Sequence, residues 1–189
     1  MDKSALQETL KSYFPALGKE SLNVFMNQSS FINLDKGTIL IAEGKRHHYF
    51  YLILKGGVKS YYLKDGKSVC MWFAEENEII GTTSTLQGFA SKETIELLED
   101  SELIRFHYEK IKDLAQTNLS ISNLLNELWA EHALFLEERL YQLQFMTAQE
   151  RYEALLEMTP SVLQKVSLTD IASYLGISRE TLSRIRGKK

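Results

Sequence analysis

The chain has 189 residues, 44% apolar and 25% charged, which is enough apolar material for a sizeable core and too little charge for disorder. Lys plus Arg number 22 against 25 for Asp plus Glu, so the net charge of −3 gives no global basic field toward nucleic acid. The single cysteine, Cys70, excludes an intramolecular disulfide and any metal or iron–sulfur site built from cysteines alone.

Met1 to Gln7 lacks the basic and apolar regions of a signal peptide, and no run approaches the roughly 18 apolar residues of a membrane span. A cytoplasmic protein with no membrane partner is expected. From Ala5 to Asn27, Leu6, Leu10, Phe14, Leu17, Leu22, Phe25 and Met26 recur at helical spacing, with Pro15 separating two short amphipathic helices. From Ser30 the texture changes to short β-rich runs: 31–34, 38–41, 49–54, 58–63, 68–73, 94–98 and 102–106. Turn residues punctuate them, and Asp65-Gly66 is a hairpin signal. The fold class read from this pattern is α+β, with an antiparallel jelly-roll barrel.

A long helix is predicted from about Ser120 to Met146, with two apolar stripes. Ile121, Leu125, Leu128, His132 and Phe135 form one; Trp129, Ala133, Leu136, Leu140 and Leu143 form another, displaced by about one residue. One stripe is expected to pack on the barrel and the other on a symmetry mate, and the first is assigned to the homodimer interface. In that seam His132 is a polar residue able to specify register.

The C-terminal block is the most informative. Leu168, Ile171, Ala172 and Leu175 mark one short helix, Gly176 supplies a turn, and Leu182 with Ile185 mark a second helix. Ser167 or Thr169 can cap the first and Ser178 the second. The narrow apolar face of the second helix leaves Arg179, Glu180, Thr181, Ser183, Arg184 and Arg186 looking outward. Arg can donate two hydrogen bonds to guanine O6 and N7, Glu can accept from cytosine N4, and Thr or Ser can reach phosphate or a thymine methyl. Residues 177–189 hold five basic residues and one acid, a net of +4, which leaves −7 for the rest of the chain. Ser178, Arg179, Glu180, Thr181, Ser183, Arg184, Arg186, Lys188 and Lys189 form the candidate DNA-binding set.

The segment Ser178 to Ile185 closely resembles the recognition helix of the Crp/Fnr superfamily of bacterial transcription regulators. Gly37 to Gly44 and Tyr51 to Lys59 resemble the first strands and turns of that family's cyclic-nucleotide-binding barrel, and the long helix resembles its dimerisation helix. The resemblance implies a sensor barrel over residues 1–118, a dimerisation helix over 119–146 and a small helix-turn-helix DNA-binding domain over 147–189. It places Arg179, Glu180 and Arg184 at base-reading positions. The implied partners are double-stranded DNA carrying an inverted-repeat operator, a second copy of the chain, and RNA polymerase.

Two departures matter. Nucleotide-binding members hold the ribose with a Gly-Glu pair and the cyclic phosphate with an Arg followed by Ser or Thr. Here Gly81 is followed by Thr82, and the Arg position falls near Ser91-Lys92. A buried phosphate favours the planar Arg fork, so cyclic AMP is not expected and no cofactor is assigned. A small effector remains open, with Gly81, Thr82, Thr83, Ser84, Ser91 and Lys92 as its candidate pocket and haem ligation by His47, His48, His107 or His132 left untested. The second departure is the connector 157–165, too short for a β-hairpin wing plus a helix, so phosphate contacts fall to the helix ends and Lys188-Lys189, predicting salt-sensitive affinity.

No catalytic or metal-binding residue is assigned, and the chain is read as a non-enzyme. The enzyme alternative is a metal-holding cupin, whose ligands need His residues two apart on one strand, whereas the adjacent His47 and His48 point to opposite faces. The third reading is an interaction module whose helix-turn-helix no longer reads DNA.

Overall fold

In the computed structural model, residues 1–187 are described. Two helices, α1 (Lys3–Tyr13) and α2 (Lys19–Met26), precede the strands β1 (Ser29–Leu34), β2 (Ile39–Ile41), β3 (Tyr49–Lys55), β4 (Gly57–Lys64), β5 (Lys67–Glu75) and β6 (Ile79–Ile80). A short helix α3 (Thr83–Gln87) leads to β7 (Thr94–Leu97) and β8 (Ser101–His107). The rest is helical: α4 (Tyr108–Ala115), α5 (Leu119–Phe145), α6 (Ala148–Met158), α7 (Val162–Lys165), α8 (Leu168–Tyr174) and α9 (Arg179–Arg186). The seven β-rich runs of the sequence are strands; β6 is a further two-residue strand that periodicity could not show.

The strands form two antiparallel sheets, ordered β1-β8-β3-β6 and β2-β7-β4-β5. The β4–β5 hairpin turns at Asp65 and Gly66, with φ of 52° and 74°, the left-handed pair that a two-residue turn requires. Alternation along β3 explains the layers. Tyr51 and Ile53 face the space between the sheets with Val58, Ile95 and Leu97, whereas Phe50 and Leu52 face the helices with Ile104 and Phe106. On that second side, Phe14 and Phe25 of the N-terminal segment stack around Phe106, with ring centroids 6.0 and 5.0 Å away. Ile111 of α4 and Ile121 of α5 complete this core.

Helix α5 starts at Asn118, whose side chain accepts from the Ile121 N–H at 3.1 Å. The first apolar stripe lies on the barrel side: Ile121 is fully buried, and Leu125, Leu128, His132 and Phe135 are half-buried. The stripe expected at the dimer seam thus faces the chain's own barrel. Its continuation, Arg139, Gln142 and Met146, stays covered through the last turns, so one face of the helix packs within the chain throughout. The second stripe is the uncovered one, with Leu136 at 50% and Leu140 at 55% exposure. His132 therefore lies on the barrel-facing stripe and not on the uncovered one. The stripes look equivalent in sequence because apolarity alone does not say which partner lies in the same chain.

Candidate nucleic-acid interface and effector cleft

The C-terminal helix pair is built by its caps. Ser167 accepts from the Asp170 N–H at 3.1 Å and Ser178 from the Thr181 N–H at 3.2 Å, satisfying first-turn donors of α8 and α9. Between them Gly176 adopts φ +69°, the left-handed conformation that turns the chain from one helix to the next. Ile171, Ala172, Leu175 and Leu182 are buried against Tyr152 and Leu155 of α6 and Val162 of α7. Helix α6 is itself fixed by a capping box between Thr147 and Glu150.

Leu182 is the only buried residue of α9, and Arg179, Glu180, Ser183, Arg184 and Arg186 are exposed. Thr181 is half-buried, and its hydroxyl accepts from Arg184 at 3.2 Å, so it positions that arginine in addition to facing outward. Ser178 is exposed at the helix start, but its hydroxyl already serves as the cap. Hydrogen bonds from its own backbone N–H and from Ser178 hold the Glu180 carboxyl below the usual carboxylate range, keeping it an acceptor. Lys188 and Lys189 lie outside the described residues. Among the described residues no strand follows β8, and the connector before α8 carries only α7, with no wing.

This helical unit is seated on the barrel. Strand β5 is an edge strand, and α8 covers it. Asp170 pairs with Lys59 at 3.2 Å, and Lys165 bridges Glu99 at 2.8 Å and Glu75 at 3.4 Å. Burial works against the Lys59 charge, yet Asp170 and Glu96 outweigh it and raise its pKa. Tyr174 meets Phe73 at a centroid distance of 5.2 Å, and the Arg139 guanidinium of α5 lies 3.9 Å over the Tyr174 ring.

The candidate effector residues separate. Gly81, Thr82 and Thr83 line a cavity of about 100 Å³ together with Phe50 of β3, and Leu128 and His132 of α5 line it from the helix. Thr82 is buried and caps α3 by accepting from the Thr85 N–H at 3.1 Å. Ser84, Ser91 and Lys92 are not among that cavity's walls: the buried Ser91 hydroxyl donates to the Glu93 carbonyl at 2.7 Å, and Lys92 is exposed. The six candidate residues are thus not brought together in that cavity: Ser84 lies within α3, and Ser91 and Lys92 belong to the turn that precedes β7.

Glu93 is the residue that sequence reasoning missed. Its carboxylate accepts from the hydroxyl of the fully buried Ser60 and from Trp72 Nε1 at 3.1 Å, and burial raises its pKa. Of the histidines, His47 bonds the Tyr51 hydroxyl at 2.8 Å, while His48 stacks on His107 with centroids 6.0 Å apart. Among the described residues no three His, Cys, Asp or Glu side chains are grouped to hold a metal ion, and no helix is long and apolar enough to cross a membrane.

Residues 31–118 match the family model of the cyclic nucleotide-binding domain. Beyond the barrel, the chain shares its fold with solved structures of transcriptional regulators. It superposes on FixK2 from Bradyrhizobium japonicum with a TM-score of 0.73 at 22% identity, over 85% of this chain and 83% of that one. A protein from Eubacterium rectale assigned to the Crp/Fnr family of transcriptional regulators gives 0.73 at 21% identity, over 92% and 85%. The sensor domain of the transcriptional regulator DNR from Pseudomonas aeruginosa gives 0.59 at 23% identity, over 76% and 97%. No curated protein sequence matches the chain. The family-model match covers the barrel, and the likeness of fold to these regulators extends along most of the chain.

Proposed function

We propose that the chain is a dimeric, sequence-specific DNA-binding transcription regulator. The observation that carries this reading is α9 itself: a turn-connected helix, capped by Ser178, that buries only Leu182 and presents Arg179, Glu180, Ser183, Arg184 and Arg186 to solvent. Side chains of these types at the N-terminal end of a recognition helix suit base edges in the major groove. Dimerisation through the uncovered stripe Trp129, Ala133, Leu136, Leu140 and Leu143 presents two such helices about one helical turn of DNA apart, so the operator is an inverted repeat. RNA polymerase is a further partner of this reading, and the working location is the cytoplasm.

The barrel in this proposal is not a cyclic-nucleotide receptor, although its family model carries that description. Where the resemblance calls for an arginine, the chain has Ser91 and an exposed Lys92, and next to them the Glu93 carboxylate holds Ser60 and Trp72. A carboxylate in that place opposes a phosphate. The three units 1–118, 119–146 and 147–189 then act as sensor, dimer helix and DNA reader.

The test is selection of bound fragments from a genomic pool at two salt concentrations. Enrichment of an inverted repeat that persists at the higher salt is expected. Retention of all fragments alike at low salt, with none at high salt, defeats the reading, because it is the signature of phosphate contacts alone.

A further inference from the structure

A cleft runs along the barrel side of α5. Its largest compartment, about 490 Å³, has Phe14, Trp72, Phe73 and Phe135 among its walls and the carboxylates of Glu78, Glu127 and Glu131 beside them. It continues at one end into the cavity of about 100 Å³ beside Thr82 and Trp129, sharing Leu128 and His132 with it. At the other end it continues into a compartment of about 300 Å³, which shares Trp72 and Phe135 and is closed by Tyr174 of the helix-turn-helix. No Lys or Arg lines any of the three.

We propose that this cleft binds a hydrophobic organic cation, an aromatic or long-chain amine. The largest compartment is of the size in which small-molecule ligands are held. Its aromatic walls offer the negative faces that attract an ammonium group, and the acids supply the counter-charge at the rim. An anion of the same shape meets three carboxylates and no basic side chain, so the lining selects by repulsion as well as by attraction. Burial pushes the His132 pKa down, so this histidine adds no positive charge at neutral pH. The ligand is the electrostatic opposite of a cyclic nucleotide. The inference goes beyond the DNA-binding reading and does not depend on it, because every wall named belongs to this one chain and none to α9.

The chain's own fluorescence reports on the site, since both of its tryptophans, Trp72 and Trp129, line the cleft. The full chain is titrated, without DNA, with three probes of one shape: 4-phenylbutylamine, 4-phenylbutan-1-ol and 4-phenylbutanoate. Saturable quenching is expected with the amine at least about tenfold tighter than the carboxylate and the alcohol between them. In Glu127→Gln/Glu131→Gln, whose changes are on the exposed rim, the amine and alcohol should converge to within about twofold. Phe135→Ala should weaken the amine and the alcohol together, with the circular dichroism spectrum checking the fold. The proposal is overturned if the carboxylate binds as tightly as the amine, if the amine shows no saturable binding up to about 10 mM, or if the double variant leaves the amine-to-alcohol ratio unchanged.

Discussion

The Ser173 hydroxyl of α8 accepts the Cys70 backbone N–H of β5 at 3.0 Å, across 103 residues of sequence. Edge strands carry unpaired backbone groups, and this bond satisfies one of them with the first helix of the C-terminal helix-turn-helix. Cys70, 2% exposed, consequently packs in the same apolar cluster as Ile171 and Leu175, and burial pushes its thiol pKa up. It is a buried packing residue. Ser173→Ala leaves the Cys70 N–H without its partner and should cost about 1–2 kcal/mol. Urea denaturation measures the loss, and hydrogen exchange should locate it at the β5 amides ahead of those of β3.

The proposed DNA-binding function predicts different roles for two arginines of one helix. Arg179→Ala, at the N-terminal end of α9, should cost about 1–3 kcal/mol on the best operator and relax preference at one base pair. Arg186→Ala, in the last turn, should weaken all sequences alike and reduce the salt slope by about 1. Competition binding over a set of single-base operator variants checks both, and equal losses on every variant from Arg179→Ala make that residue a phosphate anchor instead.

The two stripes of α5 give opposite outcomes under a charge substitution. Leu136→Glu places a carboxylate on the uncovered stripe and should yield a folded monomer in sedimentation equilibrium, because like charges then meet across the two-fold axis. Ile121→Glu should instead unfold the chain, since that side chain is fully buried among Phe25 and Phe106 in the helix-side core. A soluble Ile121→Glu monomer with native circular dichroism contradicts this assignment.

Acid lability is expected at His47. Burial, with His48 beside it, lowers its pKa from 6.5 to about 4. The folded chain therefore binds fewer protons than the unfolded chain between those values, so this histidine's contribution is complete above pH 6.5 and declines as pH falls toward 4. His47→Gln should flatten the fall in urea midpoint between pH 7 and about pH 5 that the parent chain shows.

The Glu93 carboxylate makes a prediction about ligands. Glu93→Ala removes the acceptor of the Trp72 indole and the Ser60 hydroxyl, and should lower stability by about 1–3 kcal/mol. In the parent chain, cyclic AMP at millimolar concentration should leave the melting temperature unchanged. An upward shift that grows with nucleotide concentration refutes the reading of the barrel as closed to phosphate.

Local signals carried most of the fold. The Asp65-Gly66 turn, the Ser178 cap and Gly176 are determined by a residue's own backbone and its neighbours, so a sequence displays them directly. The alternation in β3 was visible as an apolar run, but the assignment of Phe50 to the helices and Tyr51 to the sheet interface was not. The stripes of α5 are legible in the sequence as stripes, but which of them the barrel covers is set by distant segments that periodicity does not show. The cleft was hidden for a related reason: Phe14, Trp72 and Phe135 come from three distant segments, and each reads in isolation as an ordinary core residue. Glu93 was equally silent, because one acid at the mouth of a strand has no period.

Helix α5 is one uninterrupted element of 27 residues, about 40 Å at 1.5 Å per residue. It leaves the barrel core at Ile121 and reaches the turn of the helix-turn-helix at Leu143, whose side chain lies 4.0 Å from the position of a Gly176 Cβ. A rod of that length is a lever with a short throw at one end. Tilting it by about 5° at the barrel carries the far end about 3.5 Å, nearly the 3.4 Å advance of one base along a DNA strand. On the proposed DNA-binding reading, a tilt of that size at the barrel would move the helix-turn-helix by about one base step.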